Sequence, residues 1–473
     1  MNCIYRFASP IGQTRACPVP TPSRGRARAI RTLCTAALSL AASPDAVHAQ
    51  PSRASRDSTE LGALVAAALA ASPIVRAARH RVEAARARVG PSGLRPDPSL
   101  TLGLRDFPLS KPGFYDDFTM KMIGFTQTIP FPGKLGVQRR AAARDVEGVE
   151  ASVLATARQV ERDVRDAYYD LAFIDRALEI LGRNRDVLVD LIKVTETRYG
   201  VGAAEQQDVL RARVEASRMA EQAVTLTEQR RAALAQLNAM LDQSSDAPVA
   251  NPQIPERIVR AAVADSASHI RFVSAALGAR AANSPLPTVD ELQSLAIRES
   301  PLLREHEAII AAQTERVAFA RKEYLPDFEV SFDYGQRAGY RDLVTATVSI
   351  PLRLQQRSKQ GQVVVAARAD LATLEAEHDV RRNEIRASVA RLHADLERQR
   401  AQLALYKGSI IPQGRASLTS AMASYQVGRV PFLTLLDSQA TLFNYETEYF
   451  RVLTEFAKAL AELERVVGTE ILP

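Results

Sequence analysis

Cysteine is almost missing from this chain. The three present, Cys3, Cys17 and Cys34, all lie ahead of residue 50. The remaining sequence therefore has no disulfide framework and no thiolate metal site. After residue 49 there is no run of ~20 apolar residues, so no single helix is expected to span a bilayer. An exported chain of this kind is either soluble or a membrane β-barrel. Proline is absent and glycine scarce over long stretches such as Gly133–Tyr199. That composition belongs to long packed helices and coiled coils. An excess of one charge is missing as well. The chain carries 61 Lys and Arg against 54 Asp and Glu. Six of those Arg and one Asp fall in the first 49 residues, so the rest holds 55 basic and 53 acidic residues, a net charge of +2. Nothing in that balance points to nucleic acid. The histidines His80, His269, His306, His378 and His393 are scattered, with no pair at helical ligand spacing, so no dedicated metal site is expected. There is no Ser-His-Asp arrangement, nucleotide loop or catalytic carboxylate pair, so neither an enzyme nor a cofactor is expected.

The first 49 residues have the order of a secretory signal. Arg28 and Arg31 precede an apolar run from Thr32 to about Ala42, and Val47-His48-Ala49 offers a small-x-small cleavage site before Gln50. Cys34 does not fit a lipid attachment site, because it lies before most of the apolar run.

The rest of the chain repeats itself once. Ala71-Ser72-Pro73 returns as Glu299-Ser300-Pro301, and Leu94-Arg95-Pro96-Asp97 as Tyr324-Leu325-Pro326-Asp327. Ile129-Pro130 returns as Ile350-Pro351, Gly182 as Gly408, and Tyr199-Gly200-Val201-Gly202 as Tyr425-Gln426-Val427-Gly428. The offsets are 228, 230, 221, 226 and 226 residues, in one order. A first repeat is expected over 50–287, its last part (about 242–287) a proline-bearing connector outside the main helical body. The second repeat covers 288–473.

Each half reads as helix, two strands, very long helix, return helix. The first helices are expected near Leu61–Val89 and Val289–Lys322. Phe328, Val330, Phe332 and Tyr334 alternate with polar residues, as do Val344, Ala346, Val348 and Ile350. Leu100, Leu102 and Leu104 alternate likewise, and so do Phe118, Met120 and Met122 until the phase slips near Ile123. The long helix of the first half should be roughly 100 Å long. In the second half Ile385, Val389, Leu392, Leu396, Leu403 and Tyr406 keep coiled-coil spacing, and a kink or break is expected at Gly408–Pro412. Return helices should end near Leu241 and Val467. Four two-faced strands cannot close a barrel alone. Two readings stay open on physical grounds: strands shared with other copies in a barrel wall, or a soluble sheet packed on helices.

The leader, the duplicated element order and the repeated Tyr-x-Val-Gly turn together resemble the TolC-like outer-membrane efflux family, over nearly the whole mature chain. The resemblance implies a mainly α fold with a small β part, assembled as a homotrimer. Twelve strands would form one barrel in outer-membrane lipid, and the helices a periplasmic α-barrel. It also implies an export duct without catalysis, working with a periplasmic adaptor and an inner-membrane pump of the RND type. The stretch Gln127–Gly136, with Pro130-Phe131-Pro132-Gly133-Lys134 at its centre, is similar to the Pro-x-Pro-Gly-Lys segment of the heavy-metal branch, the cobalt–zinc–cadmium or copper–silver type. The alternatives are a duct for drugs or type I protein secretion, or, in another class, a periplasmic coiled-coil scaffold or adaptor. By the same resemblance, Asp208, Tyr425, Asp437 and Arg429 would form the gate at the periplasmic mouth, with a Tyr425–Asp208 hydrogen bond joining neighbouring hairpins. Tyr199, Gly200, Gly202, Val427 and Gly428 would form the adaptor-docking tips. The family's lock is incomplete here, because Val430 and Thr434 stand where an Arg and an Asp are usual.

Overall fold

The computed structural model describes residues 53–110, 112–114, 117–250, 252–263 and 286–472. The expected signal peptide lies outside the described residues, as does the part of the connector from 264 to 285. The first half runs α1 (Arg53–Ala71), α2 (Pro73–Ser92), β1 (Ser99–Arg105), β2 (Met120–Ile129), α3 (Lys134–Gly200) and α4 (Gln206–Met240). After the short α5 (Glu256–Val263), the same order returns as α6 (Val289–Glu299), α7 (Pro301–Lys322), β3 (Phe328–Gln336), β4 (Leu343–Ser349), α8 (Gln360–Leu405), α9 (Ile411–Gln426) and α10 (Phe432–Val467).

Two helices stand in each half where one was expected. Ser72 and Ser300 both adopt φ near −55 to −59° with ψ 121°, and Pro73 and Pro301 begin the next helix. Proline forces the preceding residue out of helical geometry but is itself well placed at a helix start. The α1–α2 axis bends by 49° at this point.

The long helix α3 has 67 residues, so it is roughly 100 Å long. It packs along α2, α4, α7 and α10, while α8 packs along α7 and α10. The core is a set of seams. Val160, Val164, Leu171 and Leu237 form one with Ala68 and Val75. Leu392, Leu396, Leu403, Phe456, Leu460 and Leu463 form another with Leu292 and Leu303. The expected break in the second half is a π-helical turn, Tyr406–Ile410, after which the helix resumes. Pro412 has no N–H to donate, and a widened turn ahead of it absorbs the lost bond without ending the helix. The described part of the connector does not stand clear of the body. Ile258, Ala261 and Ala262 of α5 are buried in the second seam, and Arg400 Nε donates to the Ala261 carbonyl at 3.2 Å.

The four strands make one antiparallel sheet in the order β1-β2-β3-β4, so the two halves meet at β2–β3. The register places Leu100 opposite Phe125, Phe125 opposite Phe332, and Phe332 opposite Ala346. One face thus gathers Leu100, Leu102, Ile123, Phe125, Phe332 and Val348, all exposed. The other face gathers Thr101, Thr126, Ser331, Asp333 and Thr347. The slip foreseen at Ile123 resolves in favour of the later residues. Ile123 and Phe125 share the apolar face, whereas Met120 and Met122 sit on the polar one, and Phe118 precedes the strand. Met120 is buried there because Gly335 leaves it room: a Cβ at Gly335 would lie 2.6 Å from its sulfur.

Candidate functional site

Both Tyr-x-Val-Gly turns close a helix in the same way. At the first, Gly202 N–H donates to the Tyr199 carbonyl at 3.0 Å and Ala203 N–H to the Arg198 carbonyl at 2.8 Å. At the second, Gly428 N–H donates to Tyr425 at 3.0 Å and Arg429 N–H to Ser424 at 2.9 Å. These are the two bonds of a Schellman motif, which needs a left-handed residue just past the helix. Gly202 and Gly428 supply it, each at φ +73°. Val201 and Val427, 77% and 67% exposed, project at the two tips.

The turns differ in their surroundings. Tyr199 is 47% exposed, whereas Tyr425 is 4% exposed. Tyr425 belongs to a small core with Leu191, Ala212, Ala421, Phe432 and Leu435, its ring 5.5 Å from that of Phe432. This core joins the α3–α4 hairpin to the α9–α10 hairpin. Within the chain, the Tyr425 hydroxyl does not reach Asp208. Its partner is the buried Thr195 hydroxyl, 3.4 Å away on α3. Asp208 lies half-buried in the first turn of α4, where a carboxylate complements the helix dipole. Asp437, early in α10, and Arg429, just past the second turn, are both exposed. Val430 packs against the tip core, and Thr434 is exposed.

The residue that binds the two hairpins is one the motif does not include. Arg198 Nη1 donates to the carbonyls of Tyr425 at 2.7 Å and Gln426 at 2.6 Å, and Nη2 to that of Ala203 at 3.2 Å. Its guanidinium lies 4.9 Å from the centre of the Tyr425 ring. The last carbonyls of α9 have no partner within their own helix, and a planar cation with several donors satisfies them.

At the opposite end of α3, Phe131-Pro132-Gly133-Lys134 forms the joint between strand and helix. Gly133 has φ +86°, and Lys134 is buried. Lys134 Nζ donates to Asp327 Oδ1 at 2.7 Å, and Phe131 N–H donates to the same oxygen at 2.8 Å. Burial alone would raise the Asp327 carboxyl. The Lys134 bond, the Phe131 N–H and the charges of Lys134 and Arg353 outweigh burial and hold it below the usual carboxylate range. Lys134 and the Phe131 N–H therefore fasten the exit of β2 to the start of β3.

His306 on α7 and His378 on α8 stack with ring centroids 5.8 Å apart, a contact that the sequence spacing does not show. Among the described residues no group of three or more His, Cys, Asp or Glu side chains is placed to hold a metal ion.

The chain matches the family described as Outer membrane efflux protein over residues 64–243 and 292–469. It is 22% identical over 346 residues to the cobalt-zinc-cadmium resistance protein CzcC of Cupriavidus metallidurans, covering 72% of this chain and 75% of that one. Among solved structures it resembles the outer-membrane channel OprN, with a TM-score of 0.70 at 19% identity, over 88% of this chain and 91% of that one. It also resembles the outer membrane protein VceC of Vibrio cholerae, with a TM-score of 0.69 at 18% identity, over 88% and 98% of the two chains.

Proposed function

Because this chain belongs to the outer membrane efflux protein family, we propose that three copies assemble into a passive export duct for heavy-metal cations, without catalysis of its own. One observation carries the assembly. The sheet exposes a largely apolar face and leaves β1 and β4 unpaired on their outer sides. In hydrocarbon each open edge would cost several kcal/mol per unsatisfied group, so the sheet needs further strands. Three copies supply twelve, with the apolar face toward lipid and the polar face toward a water-filled lumen. The long helices continue the lumen into the periplasm as a tapering α-barrel, with the Gly202 and Gly428 turns at its far end. There the turns receive the helical hairpin of a periplasmic adaptor, which couples the duct to an inner-membrane pump of the RND type. Asp208, Tyr425, Arg429 and Asp437 surround the mouth.

The likeness to a cobalt-zinc-cadmium resistance protein supports the choice of metal cations as cargo. A duct of this kind needs no tight site, because tight binding would slow release. The test is membrane fractionation with native mass measurement, followed by deletion of the gene. The protein should appear as an outer-membrane trimer, and its loss should sensitise cells to cobalt, zinc or cadmium. A soluble monomer would end the channel reading. A trimer whose loss alters only drug tolerance or protein secretion would keep the channel and reject the cargo.

A further inference from the structure

Strands β1 and β3 start, and β2 and β4 finish, at one end of the sheet. There Ser99 stands opposite Thr126, Ile129 opposite Phe328 and Glu329 opposite Ser349. The joints that lead from this end to the helices cover residues 93–98, 130–140, 321–327 and 350–360. They hold nine Lys and Arg against three Asp and Glu, a net charge of +6, whereas the whole chain after residue 49 carries only +2. The turns at the opposite end of the sheet, 106–119 and 337–342, hold three basic and four acidic residues. Positive charge is thus gathered at one end of the sheet and not at the other.

Most of that charge is uncompensated. Lys134 pairs with Asp327, Arg140 pairs with Glu315, and Arg353 donates to the Glu323 carbonyl. Among the described residues, Arg95, Arg139, Arg321, Lys322, Arg357 and Lys359 make no ion pair, and all but the partly covered Lys322 are exposed. Asp97 and Glu323 are the carboxylates of the joints without an ion pair, so unpaired cations outnumber unpaired anions by six to two. Like charges held at one end of a sheet repel one another, and an anionic partner relieves that repulsion. Exposed leucines run beside them. After β4 the order going away from the sheet is Ile350, Leu352 and Leu354, then Arg357 and Lys359. Leu352 and Leu354 are 83% and 90% exposed. Apolar side chains that give way to cations within a few residues suit the passage from hydrocarbon to headgroups.

We infer that this end of the sheet is a belt that binds anionic phospholipid headgroups in the periplasmic leaflet of the outer membrane. The unpaired cations meet the phosphates, and the leucines meet the first carbons of the acyl chains. The belt presupposes the proposed outer-membrane channel, in which the apolar face of the sheet stands in lipid and the joints lead into the periplasm. It adds a preference for one class of lipid at one end of the barrel. A zwitterionic headgroup also offers a phosphate, but its ammonium repels the same cations. Each Lys or Arg near an anionic membrane surface strengthens attachment about fivefold. The attraction weakens as salt rises.

Lipid retention tests it. The full chain is placed in nanodiscs with a minority of phosphatidylglycerol in phosphatidylethanolamine, and native mass measurement counts the lipids kept on the trimer. The parent should keep phosphatidylglycerol about tenfold above its share of the bilayer, and less as salt rises. Arg95→Gln with Arg321→Gln, Arg357→Gln and Lys359→Gln should bring retention close to that share. Arg357→Gln with Lys359→Gln alone should lose part of the enrichment. Lys111→Gln with Arg341→Gln, which removes two cations from the opposite turns, should leave it unchanged. A parent trimer that keeps both lipids in proportion overturns the belt while leaving the channel intact. The belt also fails if the fourfold variant keeps the enrichment, or loses it no more than the opposite-end variant does. A fourfold variant that keeps the enrichment but becomes more cation-selective in planar bilayers would place these cations in the lumen instead. A soluble monomer removes the channel reading itself, and the belt with it.

Discussion

Arg198 makes two hydrogen bonds and a ring contact at the second turn and a third hydrogen bond at the first, and its removal is the sharpest test of how the mouth is held. Arg198→Ala leaves the Tyr425 and Gln426 carbonyls without this donor at the end of α9, next to a buried tyrosine. The Tyr425 carbonyl keeps the Gly428 N–H and Gln426 is exposed to water, so the cost should lie at the low end of the about 1–3 kcal/mol of a lost buried partner. The loss should be local, so amides of 424–432 should exchange about tenfold faster with solvent while the thermal midpoint moves little. Arg198→Lys should recover only part of the protection, because a point charge cannot serve two carbonyls with the geometry of a planar fork. Unchanged exchange in Arg198→Ala would show that the hydrophobic core of the tip suffices. The turns themselves were legible in the sequence, because a glycine after Tyr-x-Val marks a residue that must adopt positive φ. Arg198 was not, because its acceptors lie 227 and 228 residues away. The same distance hid the Tyr425–Thr195 contact, 230 residues apart.

At the scale of elements, α7 and α8 are held together partly by the His306–His378 stack. His306 is buried and its Nδ1 has no hydrogen-bond partner, while Nε2 lies 3.7 Å from Glu377. Burial lowers the affinity of this ring for a proton, and the charges of Arg381 and His378 lower it further. Glu377 opposes them without reversing the direction. A histidine whose folded pKa lies below its unfolded value contributes stability above the unfolded pKa, near 6.5. That contribution is lost as pH falls through the lower folded value. The thermal midpoint of the parent should therefore drop between pH 7 and pH 5 by more than that of His306→Gln. Parallel midpoints across that range would remove His306 from the account. The strands and long helices were readable because period-two alternation and the lack of proline are local signals. The paired helices at Ser72–Pro73 and Ser300–Pro301 were not, because sequence on both sides of each proline is helical. The side of Met120 and Met122 was decided by Gly335, a residue on another strand.

For the whole molecule, the proposed trimer turns features that are minor in one chain into a selective mouth. Asp437 is exposed in the single chain and stands beyond the second turn, at the end of the proposed tunnel. Three copies related by a threefold axis would set three carboxylates around a narrow opening. Their mutual repulsion is relieved best by a polyvalent cation, and the field extends about 10 Å at 0.1 M salt. Trivalent cations should therefore block the isolated channel in planar bilayers, while monovalent ions pass. Asp437→Ala should weaken both that block and the preference for cations. Tyr425→Phe with Thr195→Val, which removes the one hydroxyl contact between the hairpins at this core, should instead raise single-channel conductance by loosening the closed mouth, with selectivity unchanged. The two variants thus separate charge from closure. If Asp437→Ala retains both the trivalent block and the selectivity of the parent, the constriction is built from other residues. Asp208, half-buried at the start of α4, would be the next carboxylate to replace.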